Sequence, residues 1–553
     1  MPAPSSATRR VGLGALSTGL SATGIAPRQV VETMARGGLL TPWPAPHRVA
    51  WQLDALRQWG FGLAGELRQA ARRSPGRVAI LDERRGAITY AELLERSRRV
   101  ATVLRDRGVG EGSRVGLLAR NHVGAVEVMV GASSIGADLV LLNTGIAGEV
   151  LATVVERQRL DLVVHDDDLG ALVQQVGLGE RLLGEAALEQ VVAAAPPQPE
   201  RPPSRPGRTI VLTSGTTGIP KGAARRTPGG FGPLVSIIDR IPLRAGDTIL
   251  VSAPLFHTWG YAALQLAIGL RATIVLQRRF DPAAAREALA EHRCDAMFPV
   301  PVMAQRMLEL GPDPRRAERL GRLRVVATSG SALPGGFAPR FMDEYGDVLY
   351  SLYGSTEASW VCIATPADLR RDPATAGTPP IGTQVAILDV DGEPVPDGET
   401  GRIFAGNDLV FEGYTGGETR EARDGMVATG DLGHRRDGLY YVDGREDDMV
   451  VSGGENVYPG EVETVLAEQP EVREVAVVGV PDRDFGQRLA AFVVLTDGAS
   501  MSAEQVRDLV RHRRARHCVP RDVVFVDELP RNATGKILHR ELRADPRVVG
   551  LPG

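Results

Sequence analysis

The residues Thr213-Ser214-Gly215-Thr216-Thr217-Gly218-Ile219-Pro220-Lys221-Gly222 make a loop of glycines, hydroxyls and one lysine behind the apolar run Thr209 to Leu212. Such a composition suits phosphate. Glycines let backbone N–H groups approach an anion, the hydroxyls add donors, and the lysine adds a mobile charge. The P-loop of nucleotide hydrolases needs Gly-Lys followed by Ser or Thr, whereas here Pro220 precedes the lysine and Gly222 follows it. A ligand-free turn is the bland alternative, and lysine usage argues against it. Of 64 basic residues only Lys221 and Lys536 are lysines. Where a charge merely has to be present the chain uses arginine, so these two positions require a compact, flexible ammonium that a planar guanidinium does not replace.

Lys536 ends the segment Pro530-Arg531-Asn532-Ala533-Thr534-Gly535-Lys536. Together the two lysine segments resemble the first and last signature motifs of the adenylate-forming enzymes, the superfamily of acyl-CoA synthetases, peptide-synthetase adenylation domains and luciferases. Further motifs follow in the same order. Ala253-Pro254-Leu255-Phe256-His257-Thr258-Trp259-Gly260 resembles the segment bordering the carboxylate pocket. Read alone, His257 is a core histidine; the resemblance makes it a gate to the acyl pocket. Ser329-Gly330-Ser331-Ala332 and Tyr353-Gly354-Ser355-Thr356-Glu357 resemble the adenine-binding turn and the motif whose aromatic ring stacks on adenine. A purine needs a flat partner and a close backbone approach, which Tyr and Gly supply.

The resemblance implies a set of roles. ATP would be held by Thr213 to Gly218, Lys221, Gly330, Ser331, Ala332, Tyr353 to Thr356, Asp431, Arg445 and Lys536. Mg2+ would sit on Glu357 and Thr213, hard oxygen ligands of the kind that ion prefers. Asp431 and Arg445 would meet the ribose. Asp447 would be a hinge, and Ser452, Gly453 and Gly454 would let the arm of coenzyme A pass. The acyl pocket would take His257, Gly260, Ala262, Ala263 and Val302, with Gly354 beside them.

The reaction so implied has a carboxylate attack the α-phosphorus of ATP, after which a thiol attacks the acyl-adenylate. The first step offers a protein base little to do, so positioning and charge neutralisation carry it. Lys221 would hold the departing phosphates and Lys536 would bridge carboxylate and nucleotide. The pocket candidates are small or apolar apart from the histidine and give no fixed charge to a polar tail. That predicts a medium- to long-chain fatty acid, ligated to coenzyme A as in the actinobacterial fatty-acid ligases. A fatty acyl-AMP ligase loading a carrier protein and a ligase for another carboxylic acid stay open. Amino-acid activation is disfavoured, because the segment after Phe256 offers no acidic residue to an α-ammonium.

These residues need a scaffold. At 553 residues the chain is long enough for two or three domains. The expected division is an extension over 1–62, an adenylation domain over 63–443 and a small mobile α+β lid over 444–553. Short apolar runs at Val78 to Leu81, Val115 to Leu118, Asp138 to Leu142 and Asp161 to His165, alternating with helices such as Thr89 to Leu104, predict an α/β fold with layered sheets. Trp43, Trp51 and Trp59 predict that the extension packs on the body or on a partner. The net charge of -4 implies no bulk attraction to nucleic acid. No transmembrane run is present in the sequence, although peripheral membrane contact and a homodimer stay open. Arg9-Arg10 only superficially resembles an export signal, and three cysteines suit a reducing, cytoplasmic setting.

Overall fold

The computed structural model describes residues 25–41, 47–196, 201–213, 220–316, 321–452, 455–482, 486–532 and 535–548. Four sheets are present among them. The first runs in spatial order Gly413–Tyr414, Lys221–Arg225, Thr209–Thr213, Asp138–Leu141, Arg114–Leu118, Leu162–His165 and Leu182–Gly184. Its strands Asp138–Leu141, Arg114–Leu118 and Leu162–His165 are parallel and almost wholly buried, which is why they read as unbroken apolar runs. The second sheet carries Val78–Asp82, Thr248–Val251, Thr273–Leu276, Ala296–Phe298, Val325–Ser329 and Leu349–Ser355, with antiparallel strands at both edges.

One apolar core joins these two sheets. Leu117, Leu139 and Val211 of the first share it with Ile249, Ile274 and Phe298 of the second and with Leu264 of the helix Thr258–Gly269. The helix Tyr90–Asp106 begins where its sequence dictates: the Thr89 hydroxyl accepts from the Glu92 N–H, and the Glu92 carboxylate accepts from the Thr89 N–H.

A third sheet holds Gln384–Leu388, Gly401–Gly406, Ala422–Arg423, Met426–Arg436 and Leu439–Arg445. The next strand, Val450–Ser452, already belongs to a fourth sheet built on the long hairpin Val472–Asp482 with Gly486–Leu495. Asp447 lies in the short connection between them. The helices Pro459–Ala467 and Ala503–Arg513 cover this last sheet through Val462, Val465, Val506 and Val510.

The described part of the extension is docked on the body. Helix Pro27–Arg36 sets Val30 and Met34 on Val235. The Arg68 guanidinium lies 3.6 Å above the Trp59 ring, and Phe61 meets Phe231 edge-on at 4.9 Å. Trp51 stays 53% exposed, and Trp43 lies outside the described residues. No helix among the described residues is long and apolar enough to cross a membrane.

Candidate active site

Both lysines line one cavity of about 2400 Å³. A pocket for a single small ligand rarely exceeds roughly 1000 Å³, so this one has room for more than one.

At one end the strands Thr209–Thr213 and Lys221–Arg225 pair antiparallel with Thr213 opposite Lys221, which clamps both ends of the loop between them. Ser214, Gly215, Thr216, Thr217 and Gly218 lie outside the described residues. The Thr213 hydroxyl donates to the Lys221 carbonyl at 3.3 Å. Lys221 Nζ donates to the Glu418 carboxylate and lies 5.5 Å from the centre of the Tyr414 ring. The lysine holds the Glu418 carboxyl below its usual range. Tyr414 Oη donates to Glu357 Oε1 at 2.5 Å. Glu357 is buried and, among the described residues, forms no ion pair with a lysine or arginine. The Arg225 charge reaches this carboxylate without pairing with it, and a buried carboxylate with no direct ion pair suits a hard divalent ion.

The adjoining wall carries Gly330, Ser331, Ala332, Tyr353, Gly354, Ser355 and Thr356. Gly354 admits no side chain, because a Cβ would lie 2.0 Å from the Ser359 carbonyl oxygen. A Cβ on Gly330 would come 3.5 Å from His257 Cε1, so the turn lies directly against the histidine. Tyr353 Oη donates to Asp431 Oδ2 at 2.7 Å, and Arg445 Nε stands 3.7 Å from Asp431 Oδ1 and 3.0 Å from Asp447 Oδ1. Burial pushes the Asp431 carboxyl up; burial and the nearby carboxylate push the Tyr353 phenol up.

His257 caps the helix Thr258–Gly269, its ring nitrogen accepting from the Trp259 N–H at 3.5 Å. Burial, then the charges of Lys536 and Arg225, push its pKa down to about 4, so it is neutral at pH 7. This helix faces the cavity with Thr258, Ala262, Gln265, Leu266 and Gly269, and Val302 lines it from another helix. Gly260 and Ala263, expected in the pocket, are not part of its wall. A Cβ on Gly260 would lie 2.1 Å from the Pro254 carbonyl oxygen, and Ala263 is sealed in the core. The cause is helical phase: residues spaced by three and four share a face, and those two sit on the opposite one.

The expectation of an uncharged pocket also fails. Arg225 lines the same cavity, and its guanidinium donates to the Ser359 hydroxyl. Alternation along a strand puts residues i, i+2 and i+4 on one face, so Lys-Gly-Ala-Ala-Arg already places Arg225 on the side of Lys221. Tyr414 and Glu418 were missed for want of any local motif.

Lys536 lines the cavity from the fourth sheet's side, close enough to bias both His257 and Asp431. Ser452 lies on the strand Val450–Ser452 and does not line it; Gly453 and Gly454 lie outside the described residues. Elsewhere His122, Asp166 and Glu185 converge, yet Arg278 pairs with both carboxylates, Asp166 at 3.0 Å and Glu185 at 2.6 Å, and makes the group an ion-pair network. The three cysteines are buried.

The sequence profile of the AMP-binding enzymes matches residues 67–415, and that of the AMP-binding enzyme C-terminal domain matches 461–536. The chain is 35% identical to a feruloyl-CoA synthase of Amycolatopsis over 86% of this chain and 96% of that one. It is 34% identical to a 2-succinylbenzoate–CoA ligase of Geobacillus kaustophilus, again over 86% and 96%. Its fold superposes on ATP-bound MatB of Rhodopseudomonas palustris with a TM-score of 0.80 and 28% identity, covering 88% of this chain and 98% of that one. With a large N-terminal part, a small C-terminal part and a profile match over most of its length, the chain belongs to the adenylate-forming family of AMP-binding enzymes.

Proposed function

We propose that this chain is an AMP-forming acid–coenzyme A ligase. The observation that carries the reading is that Lys221 and Lys536, 315 positions apart and the chain's only lysines, line one cavity together with Glu357 and Asp431. Lys221 binds the leaving pyrophosphate, releasing Glu418 as the nucleotide arrives. Lys536 orients the attacking carboxylate against the α-phosphorus, and the neutral His257 walls the acid without competing for its charge. Asp431 and Arg445 take the ribose hydroxyls. Glu357 and the Thr213 hydroxyl hold magnesium, which supplies charge neutralisation for the phosphates. Asp447 is the hinge about which the C-terminal part, residues 444–553, turns to admit the thiol near Ser452, Gly453 and Gly454.

The acid is proposed to be an aryl or oxygen-bearing carboxylic acid in place of the fatty chain that the small residues suggested. Two things favour it: relatives named for ferulate and 2-succinylbenzoate, and a half-buried guanidinium, Arg225, where a hydrocarbon tail would gain nothing. The test is release of AMP and pyrophosphate with an acid panel, with and without coenzyme A. Release and thioester formation only when acid and coenzyme A are both present supports the ligase. Adenylate formation that coenzyme A leaves unconsumed points to a carrier protein as acceptor, and no acid-dependent release from any aryl, dicarboxylic or aliphatic acid overturns the reading.

A further inference from the structure

We propose that Arg225 determines the acid specificity of this site, by receiving a second carboxylate that the acid carries at the end remote from its reacting one. The proposal rests on the ligase reading above.

Arg225 stands four residues after Lys221 on one strand, and both line the cavity. At about 3.3 Å per residue the two positions lie roughly 13 Å apart on the same face, which separates the phosphate end from the acid's far end. Arginines next to it are paired: Arg208 and Arg226 both meet Glu412, at 2.9 and 3.3 Å. Arg225 is half-buried on the cavity wall and, among the described residues, forms no ion pair; its one acceptor is the Ser359 hydroxyl. Burial pushes its pKa down to about 10, with Tyr261 and Glu357 acting the other way. A half-buried guanidinium that, among the described residues, uses one donor on a hydroxyl is a poor structural element and a good half-site for a planar anion.

The surroundings are built to hold it there. Ser359 sits at φ 63°, in the left-handed region a serine seldom adopts, and its hydroxyl donates to the Leu409 carbonyl at 2.6 Å while accepting from Arg225. Across the cavity wall Tyr261 Oη and Thr209 Oγ1 lie 2.8 Å apart, and Thr209 is directly opposite Arg225 in the strand register. These hydroxyls extend one polar patch. His257, Lys536 and Arg225 line the same cavity, and both charges act on the histidine. An acid with carboxylates at both ends of a compact spacer satisfies the two cations at once.

The experiment uses the full chain and matched acids that differ only by a terminal carboxylate: decanoate with decanedioate, and 4-phenylbutanoate with 4-(4-carboxyphenyl)butanoate. Values of kcat/KM come from coenzyme A-dependent AMP release by the wild type, Arg225→Leu and Arg225→Lys. The wild type is expected to favour the dicarboxylate of a pair at least tenfold, mainly through KM, and Arg225→Leu to invert that preference. Arg225→Lys keeps part of it, which decides the matter if the leucine variant does not fold. The favoured dicarboxylate also raises the Tm of the wild type and not that of Arg225→Leu. A wild-type preference for the monocarboxylates, or an equal loss on both acids in either variant, overturns the assignment, the second outcome placing Arg225 at the reacting carboxylate. Absence of acid-dependent AMP release with every acid overturns the ligase reading itself.

Discussion

Gly535 rests directly on Val302: a Cβ on the glycine would lie 2.3 Å from Val302 Cγ1, and its φ of +80° is one that side chains resist. This contact seats the loop that carries Lys536 on the wall of the acid pocket. Gly535→Ala therefore has to lift the loop or displace the helix Pro301–Glu309. We expect adenylate formation, read as acid-dependent pyrophosphate exchange, to fall at least tenfold with Tm nearly unchanged. A rate equal to wild type would show that this seat is not used in the first step.

Lys536→Ala is expected to abolish adenylate formation and largely spare thioester formation from supplied acyl-AMP. On the proposed reading the lysine acts on the attacking carboxylate and has no part once the anhydride exists. Equal loss in both half-reactions would contradict a lysine that leaves before the thiol arrives.

Asp447 lies between Leu439–Arg445 of the third sheet and Val450–Ser452 of the fourth. Proline there fixes φ near about -65° and removes the N–H. Asp447→Pro is expected to retain one half-reaction and lose the other, as judged by assaying each separately. Wild-type rates in both would move the hinge elsewhere.

Glu66 is buried on the cavity wall, where burial pushes its pKa up to about 8 from 4.5, opposed by the Gln69 amide and the charge of Arg271. Between those values the unfolded chain has lost the proton that the folded chain keeps. Stability thus falls as pH rises through this window, by about 1.4 kcal/mol per pH unit, and levels off above pH 8. Glu66→Gln keeps the shape and has no proton to lose. The Tm of the variant relative to wild type should climb steadily from pH 5 to 8; a constant difference would mean that the folded chain ionises Glu66 as readily as the unfolded one.

Much of the scaffold was legible because its signals are local. Thr89 and Glu92 announce the helix Tyr90–Asp106, and the apolar runs at Asp138–Leu141 and Leu162–His165 are the mark of strands covered on both faces. The pocket lining was less so. Motif membership names a segment, whereas facing is set by phase, and phase put Gly260 and Ala263 behind the helix and Arg225 in front of its strand. The contact of Tyr414 with Glu357 spans 57 positions and depends on the two-residue strand Gly413–Tyr414 pairing with Ala223 and Ala224. Nothing in either local sequence encodes that meeting.

The scarcity of lysine has a further chemical consequence. An acyl-adenylate is a mixed anhydride, and one that escapes its site acylates whatever unprotonated amine it meets. A surface dressed in arginine offers it no such nucleophile, since guanidinium stays protonated. Besides the amino terminus, the chain's only amine targets are Lys221 and Lys536, both on the cavity wall. Self-inflicted damage to lysine is thereby confined to the molecule's own working parts, where an adduct silences the copy that made it.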